Sequence, residues 1–166
     1  MRSSVVLLLA CALACAQRAS APVPTSLASP AATASDAGSP RIVFPDKSAI
    51  AVEVASDDAT REQGLMYRDH LAGDRGMIFL FPRAGEYPFW MKNTLIPLDM
   101  IWMDREHRIV HIAHDVPPCR ADPCPSYPPN AQASSVLELA AGVAAKHRLA
   151  DGSVLRFEGL DKVIVR

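Results

Sequence analysis

Between Phe89 and Trp102 the chain reads Phe-Trp-Met-Lys-Asn-Thr-Leu-Ile-Pro-Leu-Asp-Met-Ile-Trp, so a cation, an amide, a hydroxyl and a carboxylate stand among two tryptophans and a run of large apolar side chains. Taking such polar groups out of water is costly unless they are paired. Any fold that accepts this segment must therefore fix Lys92, Asn93, Thr94 and Asp99 in defined positions, for structure or for a ligand. The backbone is constrained as well. Leu98, Met100 and Trp102 alternate with Asp99, Ile101 and Met103, the pattern of a strand covered on both faces.

The neighbouring segments agree with that reading. Residues 48–54 alternate large with small or polar side chains, as a half-buried strand does. Ser56, ahead of Asp57 and Asp58, predicts a helix N-cap, and the helix would run to Met66 unless Gly64 ends it early. Gly76 to Phe81 is a short apolar run between Gly73 and Pro82, which predicts a doubly covered strand. Asp104 to His107 predicts a hairpin turn into a strand over 108–114, and a proline-rich loop spans 117–129. Strands are expected over 135–139, 154–157 and 163–165, and a helix over 142–149, although the alanine-rich stretch from Val136 to Ala145 also suits a single helix. Many short strands with two short helices predict a mainly β domain, a compact antiparallel sandwich or barrel-like fold.

The N-terminal segment bears on compartment. Arg2 precedes an apolar run from Val5 to Ala14, too short to span a bilayer, which needs roughly 20 residues. Residues 1–16 thus read as a signal peptide. Two processing routes fit: cleavage after Ala14-Cys15-Ala16, or lipidation of Cys15 at the lipobox-like Ala12-Leu13-Ala14-Cys15. Residues 17–40 are dominated by Ala, Ser, Pro, Thr and Gly, a composition that buries too little surface to fold, and they read as a tether. One globular domain is expected over 41–166, exported to the periplasm or lipid-anchored to the cell envelope, with a membrane met only through that N-terminal lipid.

Other classes are disfavoured. The formal charge is −1 with both signs scattered, so no basic stripe invites nucleic acid. Cys119 and Cys124, the two cysteines beyond the signal segment, predict a disulfide in an exported protein. No metal site is expected. His107 and His111 would face one side of a strand and His114 the other, and the methionines lie in apolar runs where they act as filler. No phosphate-cradling glycine loop or strained serine elbow is present, and no cofactor is expected.

The candidate site is Arg61, Lys92, Asn93, Thr94, Asp99 and Glu138. Alternation places Trp90, Lys92 and Thr94 on one side of their segment. Lys92 and Arg61 would bring positive charge to a pocket, Asn93 and Thr94 neutral hydrogen bonds, as suits an anionic or sugar ligand. The plainer alternative pairs Lys92 with Asp99 or Glu138 inside the fold while Asn93 closes a turn. Arg61 and Arg68 suit a carboxylate or phosphate clamp, or else strand capping. Asp99 with Glu138 would make an acid pair for a small envelope hydrolase acting on glycan or peptide.

Arg61-x-x-Gly64-Leu65-Met66-x-Arg68, Gly76-Met77-x-Phe79-x-Phe81, the block Phe89-Trp90-Met91-Lys92-Asn93-Thr94-x-x-Pro97-Leu98-Asp99, and Cys124-Pro125-x-Tyr127 followed by Val136-Leu137-Glu138-Leu139 and Ala141-Gly142 together resemble the domain of unknown function 192 family. The resemblance spans about Ile50 to Phe157. It implies a compact, mainly β fold, often behind a signal or lipid anchor, and no agreed activity. His107 stands where similar sequences carry a turn glycine; histidine tolerates positive φ better than branched residues do. Three functions stay open: a non-enzymatic module binding a small ligand or envelope protein, the hydrolase, and a structural partner-binding domain.

Overall fold

A computed structural model describes residues 38–166. The signal segment, Cys15 and all of the expected tether before residue 38 lie outside the described residues. Strand β1 (Arg41–Val43) forms a hairpin with β2 (Ala49–Ala55), the alternating segment read from the sequence. Helix α1 (Asp58–Gln63) follows, capped by Asp57 rather than Ser56. The Asp57 carboxylate accepts from the Thr60 N–H while the Thr60 hydroxyl accepts from the Asp57 N–H, a reciprocal arrangement that satisfies two otherwise orphaned donors. The helix stops at Gln63 and not at Met66, because Gly64 turns to φ 45°. A Cβ at Gly64 would stand 3.3 Å from the Phe79 ring, so the bare backbone also lets this turn settle onto the sheet.

The remaining elements are β3 (Arg75–Gly85), β4 (Phe89–Trp90), β5 (Leu98–Met103), β6 (Ile109–Val116), β7 (Ser126–Tyr127), β8 (Ala133–Ala140), α2 (Val143–Lys146) and β9 (Arg156–Glu158). Seven strands form one sheet in the order β6-β5-β8-β3-β2-β1-β9, and β4 pairs with β7 in a second. The domain is mainly β with two short helices, as the sequence predicts. Two features are finer than that prediction. The sheet is mixed, since β2 and β3 run parallel with α1 in their crossover, and it does not close into a barrel among the described residues.

Ala133 to Ala140 is a strand, although alanine-rich composition also suited a helix there. It runs between β3 and β5, antiparallel to both, so its backbone groups are paired on two sides and its apolar residues are covered on two faces. Residues 163–165 join no strand. Pairing between β3 and β8 breaks between Leu80 and Gly85, where Pro82 has no N–H to give. His107 takes φ 58° at the tip of the β5–β6 hairpin and stacks on Phe157.

Each face of the main sheet carries its own core. Ile78, Ile101, Leu137 and Leu139 pack with Ile42, Ile50 and Leu149 on one face. Met77, Phe79, Met100, Trp102 and Val136 pack with Leu65 and Met91 on the other. This second face carries the candidate site.

Gly76 sets how closely β3 and β8 approach. A Cβ there would lie 2.8 Å from the Glu138 carbonyl oxygen and 2.9 Å from Leu139 Cδ2. Gly76→Ala is expected to lower stability by about 1–3 kcal/mol, the cost of overpacking a filled interior, read as a lower urea midpoint; an unchanged midpoint would show that the two strands part freely. Cys119 and Cys124 form a disulfide across a sequence separation of 5. For so short a loop, reduction is expected to remove about 2 kcal/mol, measured as a modest fall in melting temperature that a Cys119→Ser, Cys124→Ser variant reproduces.

Candidate functional site

Glu138 is the one acidic side chain that the central strand sends into the second core. Its cross-strand neighbours are Met77 on β3 and Met100 on β5. The residue is 4% exposed. Among the described residues its carboxyl group joins no ion pair and accepts no hydrogen bond, and burial alone pushes its pKa from 4.5 to about 8. A carboxyl held this way is neutral at pH 7 and able to donate a hydrogen bond.

What it faces is a narrow cleft. Arg61 to Met66, the last part of α1 and its following turn, make one wall, and Phe89, Trp90, Lys92 and Thr94 make the other. Phe79 and Glu138 lie on the sheet side. The room inside is about 40 Å³, enough for two or three water-sized groups by the usual measure of about 10–15 Å³ each. A hydroxyl, a carboxylate or an amide fits; a ring does not.

The Lys92 wall is built by a turn. Thr94 N–H donates to the Met91 carbonyl at 3.2 Å, and Asn93 adopts φ 57°. Tyr67 N–H donates to the Asn93 carbonyl at 2.8 Å, which ties this turn to the one after α1. Met91 points into the core while Trp90, Lys92 and Thr94 line the cleft, as alternation predicts, but Phe89, which alternation groups with Met91 and Asn93, lines the cleft as well. Lys92 joins no ion pair among the described residues; its Nζ stands 5.3 Å over the Trp90 ring. The pairing with Asp99 or Glu138 weighed from the sequence is therefore not formed. Asn93 is exposed and reaches Met66 Sδ from its Nδ2 at 3.8 Å, and Thr94 is buried.

Arg61 lines the cleft, but its guanidinium is engaged elsewhere. Nη1 donates to the Leu80 carbonyl at 2.8 Å, and Nη2 donates to Asp58 at 2.7 Å and to the Arg166 carbonyl. It fastens α1 to β3 and to the C-terminal residue, the strand-capping role and not the ligand clamp. Arg68 forms a forked pair with Glu53, which lowers the Glu53 pKa.

Asp99 is not brought to the cleft. It lies opposite Leu139 in the β5–β8 ladder, one position out of step with Glu138, so the two carboxyl groups leave the sheet from opposite faces. Asp99 Oδ1 accepts from Asp115 N–H at 2.9 Å and Oδ2 from Ala144 N–H at 2.8 Å. It binds the edge of the β5–β6 hairpin to α2. An acid pair of Asp99 with Glu138 across one cleft is excluded by this register. The histidines do not converge either: His107 stacks on Phe157, His111 packs 5.4 Å from Trp102, and His114 Nδ1 lies 3.9 Å from Asp99 Oδ1.

Sequence reasoning missed Glu62, Gln63, Met66 and the turn that carries them. They follow Arg61 by one, two and five residues, spacings that share no helix face with it, so no periodic signal singles them out.

Two wider depressions adjoin the cleft. One of about 260 Å³ is lined by Phe79, Phe81, Tyr87 and Pro88, and one of about 430 Å³ by Gln63, Met66, Tyr67 and Asn93. Glu62 and Trp90 line both depressions and the narrow cleft.

Ionising Glu138 opposes folding. Below 4.5 the group is protonated in both folded and unfolded chains, so it exerts no penalty there; stability is lost as the pH rises from that value to about 8. Glu138→Gln is expected to flatten the fall in melting temperature between about pH 5 and about pH 8. A variant that kept the wild-type slope would assign it to other groups.

Residues 41–157 match the profile of the family DUF192, described as "Uncharacterized ACR". A Sinorhizobium meliloti protein described as a candidate transcription regulator is similar in structure, with TM-score 0.63 and 33% identity over 73% of this chain and 93% of its own. A Novosphingobium aromaticivorans protein of unknown function has TM-score 0.64 and 30% identity over 70% of this chain and 82% of its own. No curated protein matches.

Proposed function

The chain belongs to the DUF192 family, whose description carries no activity, and we propose its function from the cleft itself: a non-enzymatic module that binds a small sugar or anionic ligand, its polar head seated between Lys92 and Glu138. The observation that supports this most is Glu138. A folded protein keeps a buried carboxyl group without a partner only at a cost, since such groups are otherwise hydrogen-bonded. Here the group opens into a cleft whose rim holds an unpaired lysine. A ligand hydroxyl or carboxylate would accept the Glu138 proton, and a carboxylate would also gain the Lys92 charge. Hydrolysis by an Asp99–Glu138 pair is disfavoured, because Asp99 is occupied on the other face of the sheet. The signal-like residues 1–16 support a location outside the cytoplasm for such a module, and Cys15 would anchor it there if lipidated.

Thermal-shift and calorimetric titration with neutral monosaccharides, uronic acids and short carboxylates tests the reading. At least one class is expected to stabilise the protein at pH 7. Lys92→Ala is expected to remain folded, since the side chain supports no ion pair, and to weaken binding of acidic ligands about tenfold or more, as loss of a charge-assisted contact of about 1.5–3 kcal/mol requires. Glu138→Gln keeps the shape and should alter affinity for all classes. Absence of any shift across the panel, or equal binding by both variants, would overturn the proposal.

A further inference from the structure

The narrow cleft does not end at Trp90. It shares lining residues with the depression walled by Phe79, Phe81, Tyr87 and Pro88 and with the one walled by Gln63, Met66, Tyr67 and Asn93. Glu62 from α1 and Trp90 from β4 stand at the junction of all three spaces. The smaller depression, about 260 Å³, falls just short of the roughly 300 Å³ at which small-ligand sites begin, and the larger, about 430 Å³, lies within that range by itself. A single compact ligand would leave one of them unused.

The walls alternate in chemistry. Trp90 is 49% exposed and Tyr67 67%, both unusually open for large aromatic side chains. Phe81 and Tyr87 are stacked on each other, with ring centroids 3.6 Å apart, and both line the smaller depression. Between these rings stand the amides of Gln63 and Asn93 and the carboxyl group of Glu62. Flat rings meet the C–H faces of a pyranose, while amides and carboxyls pair with its hydroxyls as both donors and acceptors. A peptide would be met through an unpaired strand edge or a continuous apolar groove instead.

Resting on the proposed ligand-binding role of this cleft, we infer that its natural ligand is an internal stretch of a glycan chain. The chain crosses the Glu62–Trp90 junction with one sugar on each side, and one substituent of the sugar at the junction enters the neck to meet Glu138 and Lys92. The narrowness of the neck fits this: its 40 Å³ takes a hydroxyl, carboxylate or acetamido group but not a ring, so the ring carrying it must lie outside, on Trp90. No bond is made or broken.

Calorimetric titration of the whole protein with chito-oligosaccharides and oligogalacturonates of increasing length, from the single sugar upward, tests the inference. In at least one series the affinity should rise tenfold or more from the monosaccharide to a short oligomer and then level off. Trp90→Ala and Tyr67→Ala, two exposed positions whose truncation leaves the cores intact, should each reduce the gain with length more than they reduce monosaccharide binding. A monosaccharide binding as tightly as the oligomers would overturn the extended site while leaving the small-ligand role standing. Binding of simple carboxylates or of a short peptide, with no response to either sugar series, would overturn the glycan. Silence toward every probe would remove both readings together.

Discussion

Strand β8 lies between β3 and β5 with both of its faces buried, and its register is the constraint on which the rest of the domain depends. Leu137 and Leu139 enter one core, while Val136 and Glu138 enter the other. A slip of one residue would exchange these sets, driving Glu138 into the aliphatic layer and a leucine into the cleft. The apolar neighbours Met77 and Met100 make the carboxyl group reluctant to ionise. A strand paired on both sides thus supplies a carboxyl group that has no protein partner among the described residues. Rigid backbone support is what allows a polar group to stay unpaired at a fixed place.

Around that floor, charge is divided between framework and cleft. Arg61 spends its donors on Leu80, Asp58 and Arg166, Arg68 on Glu53, and Asp99 accepts from two backbone N–H groups. Each of these groups fixes a boundary: α1 against β3, the turn after α1 against β2, and α2 against the β5–β6 hairpin. Lys92 and Glu138 are left over, and they meet at the same opening. The aromatic residues follow the same division. Phe79, Phe89 and Trp102 pack edge to face in the core, while Trp90 faces outward.

Much of the fold is legible in the sequence. Leu98 to Met103 is a strand with the predicted residues on each face, because strict alternation survives any tertiary context that covers both sides. The cysteine pair is a local matter that local composition reveals, while the positive φ of His107 follows from the resemblance, in which a turn glycine stands at that position. Helix α1 is legible only to within a few residues, since Ser56 and Asp57 are both good caps and their competition is settled by which one reaches Thr60. Strand β8 is legible as the strand expected over 135–139, with a helix as the competing reading. Its alanines and leucines carry a helical tendency, which is overridden by two waiting strand partners.

For the site the same division applies. The sequence by itself determined which residues are chemically out of place: a lysine, an asparagine and a threonine between tryptophans, and a glutamate in an apolar run. Alternation also grouped Trp90, Lys92 and Thr94, but a turn at Asn93 with φ 57°, and not an extended strand, brings them to one cleft, and Phe89 with them. Only the tertiary structure decided which of the unusual residues belong together. Asp99 and Glu138 are equally conspicuous in the sequence, yet the pairing of β5 with β8 sends them to opposite faces, while Glu62, inconspicuous on its helix, is carried to the cleft by the β2–α1–β3 crossover. Strand pairing and helix placement are set by contacts distant in sequence, and a side chain's partners follow from them.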